Sequence, residues 1–174
     1  MASARLTPEV HGSILGPSRV ASPWCGKVAR TVDDVERNKA LIRRYFAALD
    51  ERDLDGITAL LATDCVFHRS DRAEALAGLP AVSRFVAAVA SVFADIKTDI
   101  HMLIAEDDLV ASRITHVATL VGVFPTRLGP VAGSGRTLTW TAMQNFRVRD
   151  GKIAEQWTLV DELSQLLQLG AISA

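Results

Sequence analysis

The side chains best suited to moving protons gather toward the C-terminal end of this sequence. Asp161 follows Trp157 and Leu159 at alternating positions of one apolar segment, and Trp140, Gln144 and Phe146 alternate along the segment before it. A carboxylate held against tryptophans and away from water has its charged form penalised, which raises its pKa. A raised carboxyl pKa suits a general acid or base. The same position also suits Asp161 to end a strand and cap a helix beginning at Glu162, and the residues alone leave both roles open. His116 has the parity of Leu120 along its segment, so it can face the interior beside Asp161, as a partner in catalysis or as a structural histidine. His68 ends the short strand-like run from Cys65, either at a site or bonded to backbone. Tyr45, the only tyrosine, falls on an apolar helical stripe, where its hydroxyl is either tethered in the core or offered to a ligand.

Other chemistries lack their signatures. His68 and Asp71 have no third ligand at a useful spacing, and no HExxH motif occurs, so no metal is expected. Gly133-Ser134-Gly135-Arg136 lacks the lysine and the following helix of a phosphate loop. No nucleophile elbow is present.

The elements that must position these residues change character halfway along the chain. Thr31 with Asp34 reads as a capping box, and Val35, Asn38, Ile42, Tyr45, Phe46 and Leu49 recur at helical spacing. A short helix follows over about Asp53 to Ala62, and a third begins at Pro80, a first-turn proline. Beyond Asp95 the period becomes two. Ile96, Thr98, Ile100, Met102 and Ile104 alternate with Lys97, Asp99 and His101, so a strand with one apolar face is expected. Strands over Leu109 to Val121, Arg136 to Arg149 and Lys152 to Asp161 complete a four-stranded antiparallel meander, and a short helix closes the chain. Helices followed by strands give an α+β fold. Asp150-Gly151 marks a two-residue hairpin turn. In its simplest register Arg149 faces Lys152, Phe146 faces Glu155, Gln144 faces Trp157 and Trp140 faces Asp161. Trp140, Gln144, Phe146, Trp157 and Asp161 then share the face against the helices.

The chain has 174 residues, with 19 basic and 20 acidic side chains. That length suits one domain with a tail, and residues 1–30, rich in proline, glycine and serine, read as a flexible N-terminal extension before a domain over 31–174. The charge balance argues against a nucleic-acid partner, and the absence of a long apolar run argues against a membrane span. Cys25 and Cys65 fit neither a disulfide framework nor a zinc spacing, so a cytoplasmic protein with free thiols is expected.

Several segments, in order, resemble the SnoaL-like polyketide cyclase family within the NTF2-like (nuclear transport factor 2-like) superfamily. Asn38 to Phe46 resembles the family's opening helix. Leu60-Leu61-Ala62-Thr63-Asp64, closing on His68, resembles its next segment. Phe93-Ala94-Asp95 with Leu103 to Asp108, and Phe146-Arg147-Val148 with Asp150-Gly151-Lys152-Ile153 and Glu155-Gln156-Trp157, resemble its later ones. The resemblance covers about residues 36–171. It implies a cone in which a curved antiparallel sheet packs on three N-terminal helices around one apolar pocket. It also implies ring closure by an intramolecular aldol reaction without cofactor or metal, the proton being carried by an aspartate at the position of Asp161. His68 matches a family histidine, while Leu120 stands where many relatives carry a pocket histidine.

The expected function is therefore cofactor-free acid–base catalysis on an apolar cyclic or polyketide-like molecule. Asp161, His116 and His68 are the catalytic candidates, and Tyr45, Trp140, Gln144, Phe146, Trp157 and Leu120 the binding ones. A ketosteroid-isomerase-type proton transfer uses the same residues, and a non-catalytic binding or dimerisation module is the alternative from another class. The expected partners are an apolar small molecule and a second copy of the chain, as a homodimer or higher homo-oligomer.

Overall fold

The computed structural model describes residues 31–173; the extension read over residues 1–30, with Cys25, lies outside them. In chain order the elements are α1 (Val32–Glu51), α2 (Leu54–Leu60), β1 (Leu61–Arg69), β2 (Leu76–Ala77), α3 (Leu79–Val92), β3 (Phe93–Glu106), β4 (Leu109–Leu120), β5 (Phe124–Thr126), β6 (Gly129–Val131), β7 (Thr137–Arg149), β8 (Lys152–Val160) and α4 (Glu162–Leu169).

Local chemistry explains the helix boundaries. The Thr31 hydroxyl accepts from the Asp34 N–H while the Asp34 carboxylate accepts from the Thr31 N–H, closing a capping box. The stripe of α1 buries Leu41, Ile42, Tyr45 and Phe46. The helix stops at Arg52, which turns left-handed with φ 57° and donates its N–H to the Ala48 and Leu49 carbonyls. Pro80 sits in the first turn of α3, where its missing N–H costs nothing.

The six-stranded sheet has the order β2-β1-β8-β7-β4-β3. Its β3-β4-β7-β8 portion is the expected antiparallel meander. Beyond the meander, β1 joins β8 in parallel. Helices α1, α2 and α3 cover the concave face, and Phe146 packs edge-on to Tyr45 and Phe46, with ring centres 5.7 and 5.9 Å away. Among the described residues no helix is long and apolar enough to cross a membrane.

The last hairpin turns where expected, with Asp150 and Gly151 both at positive φ, but its register does not run straight on. Arg149 faces Lys152 and Val148 faces Ile153, after which Arg147 faces Glu155. Ala154 is the extra residue of a bulge, and Ile153 and Ala154 are consecutively buried. From there every side chain of β8 is on the opposite face to the one expected. Gln156 and Thr158 point inward, while Trp157 and Leu159 lie outward with Asn145 and Met143 as their cross-strand partners. A second irregularity, at His101, separates the pairs Ile100–Ile114 and Met102–Arg113. It puts Met102 and Ile104 outside, at 40% and 56% exposure, and turns Leu103 and Ala105 toward the core.

Candidate functional site

Between the helices and the concave face of the sheet lies a cavity of about 610 Å³. Its walls come from α1, α3, β4, β7 and β8, and its mouth from the segment after β1, the β5–β6 hairpin and the start of α4. Apolar side chains dominate, among them Val89, Phe93, Trp140 and Val160, and a few polar groups converge on the space. This is the usual composition of a small-molecule pocket.

His116, on β4 beside Trp140, is a buried titratable group of the cavity wall, 6% exposed. Its Nδ1 lies 3.0 Å from the Thr98 hydroxyl, and that hydroxyl donates to Asp50 Oδ1 at 2.7 Å. The Thr98 N–H donates to the other oxygen of the same carboxylate at 3.0 Å. A hydroxyl has one proton, and here the carboxylate takes it, so His116 Nδ1 carries the hydrogen of the imidazole contact. Nε2 has no hydrogen-bond partner among the described residues and opens on the cavity. Burial pushes the ring's pKa down to about 4, the Asp50 charge opposing the shift without cancelling it. The ring is therefore neutral at physiological pH, with an unshared pair facing the cavity.

This burial has a consequence for stability. Between the ordinary value of 6.5 and about 4, the unfolded chain binds a proton that the native ring refuses. The stabilisation is complete above pH 6.5, shrinks as the pH falls and is gone below the native pKa of about 4. The loss is on the order of 3 kcal/mol. Urea titrations across this range check it, and His116→Gln flattens the slope.

The middle of the cavity is amide-rich. Gln156 Nε2 donates to Gln144 Oε1 at 2.7 Å, leaving the Gln144 amide N–H group without a partner among the described residues. Tyr45 lies beside Gln156, and burial pushes its hydroxyl up to about 12, so it stays protonated. At the mouth, Arg69 grips Asp71 with Nε and Nη2 at 2.9 and 2.8 Å. Arg127 donates to the Ser70 carbonyl and to Glu162, tying the β5–β6 hairpin to both sides of the opening.

Of the residues expected at a site, His116, Tyr45, Trp140 and Gln144 line the cavity together. Phe146 and Leu120 are fully buried in the packed core instead. Trp157 is on the outer face, stacked 5.6 Å from His68, and His68 Nε2 lies 2.9 Å from Glu155. Asp161 is exposed and caps α4, its carboxylate accepting from the Ser164 N–H at 3.0 Å. The bulge at Ala154 is the reason for both displacements, and it also brings in Gln156 and Thr158. Asp161→Ala is expected to cost about 1 kcal/mol of stability and to leave ligand affinity unchanged, which a denaturation curve and a binding titration check.

Asp50, Thr98 and Arg69 are not singled out by sequence, and Gln156 is expected on the outer face. A threonine on the inner parity of β3 opposite a buried histidine was the one available signal. Among the described residues no three His, Cys, Asp or Glu side chains are grouped to hold a metal ion.

A curved sheet closed over helices, with an apolar cavity and a few inward polar groups, is the fold of the NTF2-like class. The model of the SnoaL-like polyketide cyclase family matches residues 39–169, and the chain belongs to that family. None of the curated proteins matches it in sequence. It is similar to the candidate hydroxylase AclR from Streptomyces galilaeus, at 27% identity and a TM-score of 0.70, over 80% of this chain and 85% of that one. It is also similar to IdmH, a candidate polyketide cyclase from Streptomyces antibioticus, at 28% identity and a TM-score of 0.64, over 76% and 98% of the two chains. An LEH-like epoxide hydrolase from M. tuberculosis shares the fold, at 15% identity and a TM-score of 0.63 over 79% and 92%.

Proposed function

We propose that the protein is a cofactor-free enzyme of the SnoaL-like type that closes a ring in a polyketide-like substrate, with His116 as its acid–base group. The observation that carries this reading is the unshared Nε2 of a neutral imidazole facing an apolar cavity, its tautomer set by Thr98 and Asp50. A base whose conjugate acid has a pKa of about 4 is poorly matched to an ordinary ketone. It suits a more acidic proton, such as one on carbon between two carbonyls.

His116 Nε2 takes that proton and the electron pair passes into an enolate. The Gln144 amide N–H group, held by Gln156, donates to the enolate oxygen. The enolate carbon then bonds to a second carbonyl carbon of the same chain, and His116 returns its proton to the new alkoxide. No atom is gained or lost. Imidazolium formation is supported through Thr98 by the Asp50 carboxylate.

The test is deuterium uptake by ethyl benzoylacetate in heavy water, followed by proton NMR. The protein is expected to accelerate exchange of the hydrogens between the carbonyls, saturably, and to leave acetophenone unchanged. Exchange no faster than in buffer contradicts the reading.

One observation favours a second reading, a binding module. Among the described residues the two carboxylates lining the cavity, Asp71 and Glu162, are both ion-paired to arginine, so of those residues only His116 remains as a base there. The same exchange experiment separates the two readings. The outer sheet face, with Met102, Val117, Met143 and Leu159 exposed, supports self-association in either case. Met143→Glu with Leu159→Glu is expected to convert a dimer to a monomer by light scattering, and a monomeric wild type contradicts that.

A further inference from the structure

Among the described residues the charges around the cavity mouth do not balance. Arg69, Arg72 and Arg127 line it against Asp71 and Glu162. Glu162 is held by Arg127, and both oxygens of Asp71 are held by Arg69. Among the described residues the Arg72 side chain makes only a distant approach to the occupied Asp71 as an ion pair, at 3.9 Å. The Arg69 and Arg72 guanidiniums both lie over the Phe85 ring, 4.6 and 5.4 Å from its centre. Two cations thus share one ring and one carboxylate.

Arg69 is the more confined of the two, with its side chain 19% exposed. Asp71 and Phe85 fix its plane, while Nη1 has no partner among the described residues. It acts electrostatically on Tyr45, whose protonated hydroxyl lines the same cavity. A preset guanidinium with one free edge recognises a planar oxyanion at little conformational cost. Among the described residues the deep end, around Trp140, Phe93 and neutral His116, offers no such cation.

We infer that the substrate is a carboxylic acid, its carboxylate held by Arg69 Nη1 and Arg72 at the mouth and its ring or keto chain directed inward toward His116. The inference rests on the cavity being the substrate site, and it names the substrate's class and its direction of entry. The neutral, apolar molecule expected from the sequence is thereby replaced by an amphipathic one.

Calorimetric titration with naphthoate and with naphthamide, which differ only in charge and one atom group, tests it without turnover. Naphthoate is expected to bind about ten- to hundredfold more tightly. Arg69→Gln should close that gap while leaving naphthamide affinity unchanged. Arg72→Gln, at a side chain 41% exposed, should narrow the gap several-fold and decides the matter if Arg69→Gln fails to fold. His116→Gln should leave the gap intact. Equal affinity for the two probes, binding of neither, or a gap that survives both arginine substitutions overturns the inference. A preserved gap without deuterium exchange would instead sink the proposed catalysis and leave this recognition standing.

Discussion

His116→Gln is expected to lower turnover by about 10²–10⁴-fold while ligand affinity changes only a few-fold. Glutamine keeps an amide near Thr98 but has no nitrogen that can accept and return a proton. The loss should therefore fall on kcat and leave KM nearly unchanged, because the apolar walls that hold the ligand are untouched. Thr98→Val is a milder version of the same test. It removes the hydroxyl that links Nδ1 to Asp50 and so frees the ring to adopt either tautomer. Steady-state rates of deuterium exchange measure both. A His116→Gln protein that exchanges as fast as wild type removes the imidazole from the chemistry.

The largest expected effect on stability is at Phe146. Its side chain is 0% exposed and meets Tyr45 and Phe46 edge-on where α1 crosses the sheet. Phe146→Ala removes a ring and leaves a hole that helix and sheet cannot both close, at a cost of about 3–5 kcal/mol. Urea denaturation should show a lower midpoint at nearly unchanged slope. Because Tyr45 leans on this ring, the ligand is also expected to bind more weakly. A midpoint close to that of wild type would mean that the helix–sheet contact relaxes to fill the hole.

Fold and site were legible to different depths. The capping box at Thr31, the first-turn Pro80 and the Asp150-Gly151 turn are local chemistry, and each element they announce is present. Strand alternation placed Trp140, Gln144 and Phe146 on the inner face correctly, because β7 runs without a break. It failed on β8, where one unpaired residue reverses all that follows. The adjacent apolar pair Ile153-Ala154 was the visible trace of that bulge, yet such a pair also fits an ordinary strand end. The Asp50–Thr98–His116 chain was hidden for another reason. Its contacts span 48 and 18 residues, and only the docking of α1 on β3 brings the carboxylate to the hydroxyl. Arg69 carries no sequence signal of its own. Its place in the cavity wall depends on the stacking against Phe85 from α3.

The proposed chemistry and the acid-limb loss of stability both follow from the protonation of His116, so that is the state to measure. Nitrogen NMR of the labelled protein, with His116→Gln to assign the signal, reports tautomer and charge together. The ring is expected to be neutral at neutral pH, with hydrogen on Nδ1 and none on Nε2, and to titrate only at about 4. A ring that titrates near its ordinary value of 6.5, or that carries its hydrogen on Nε2, would contradict it.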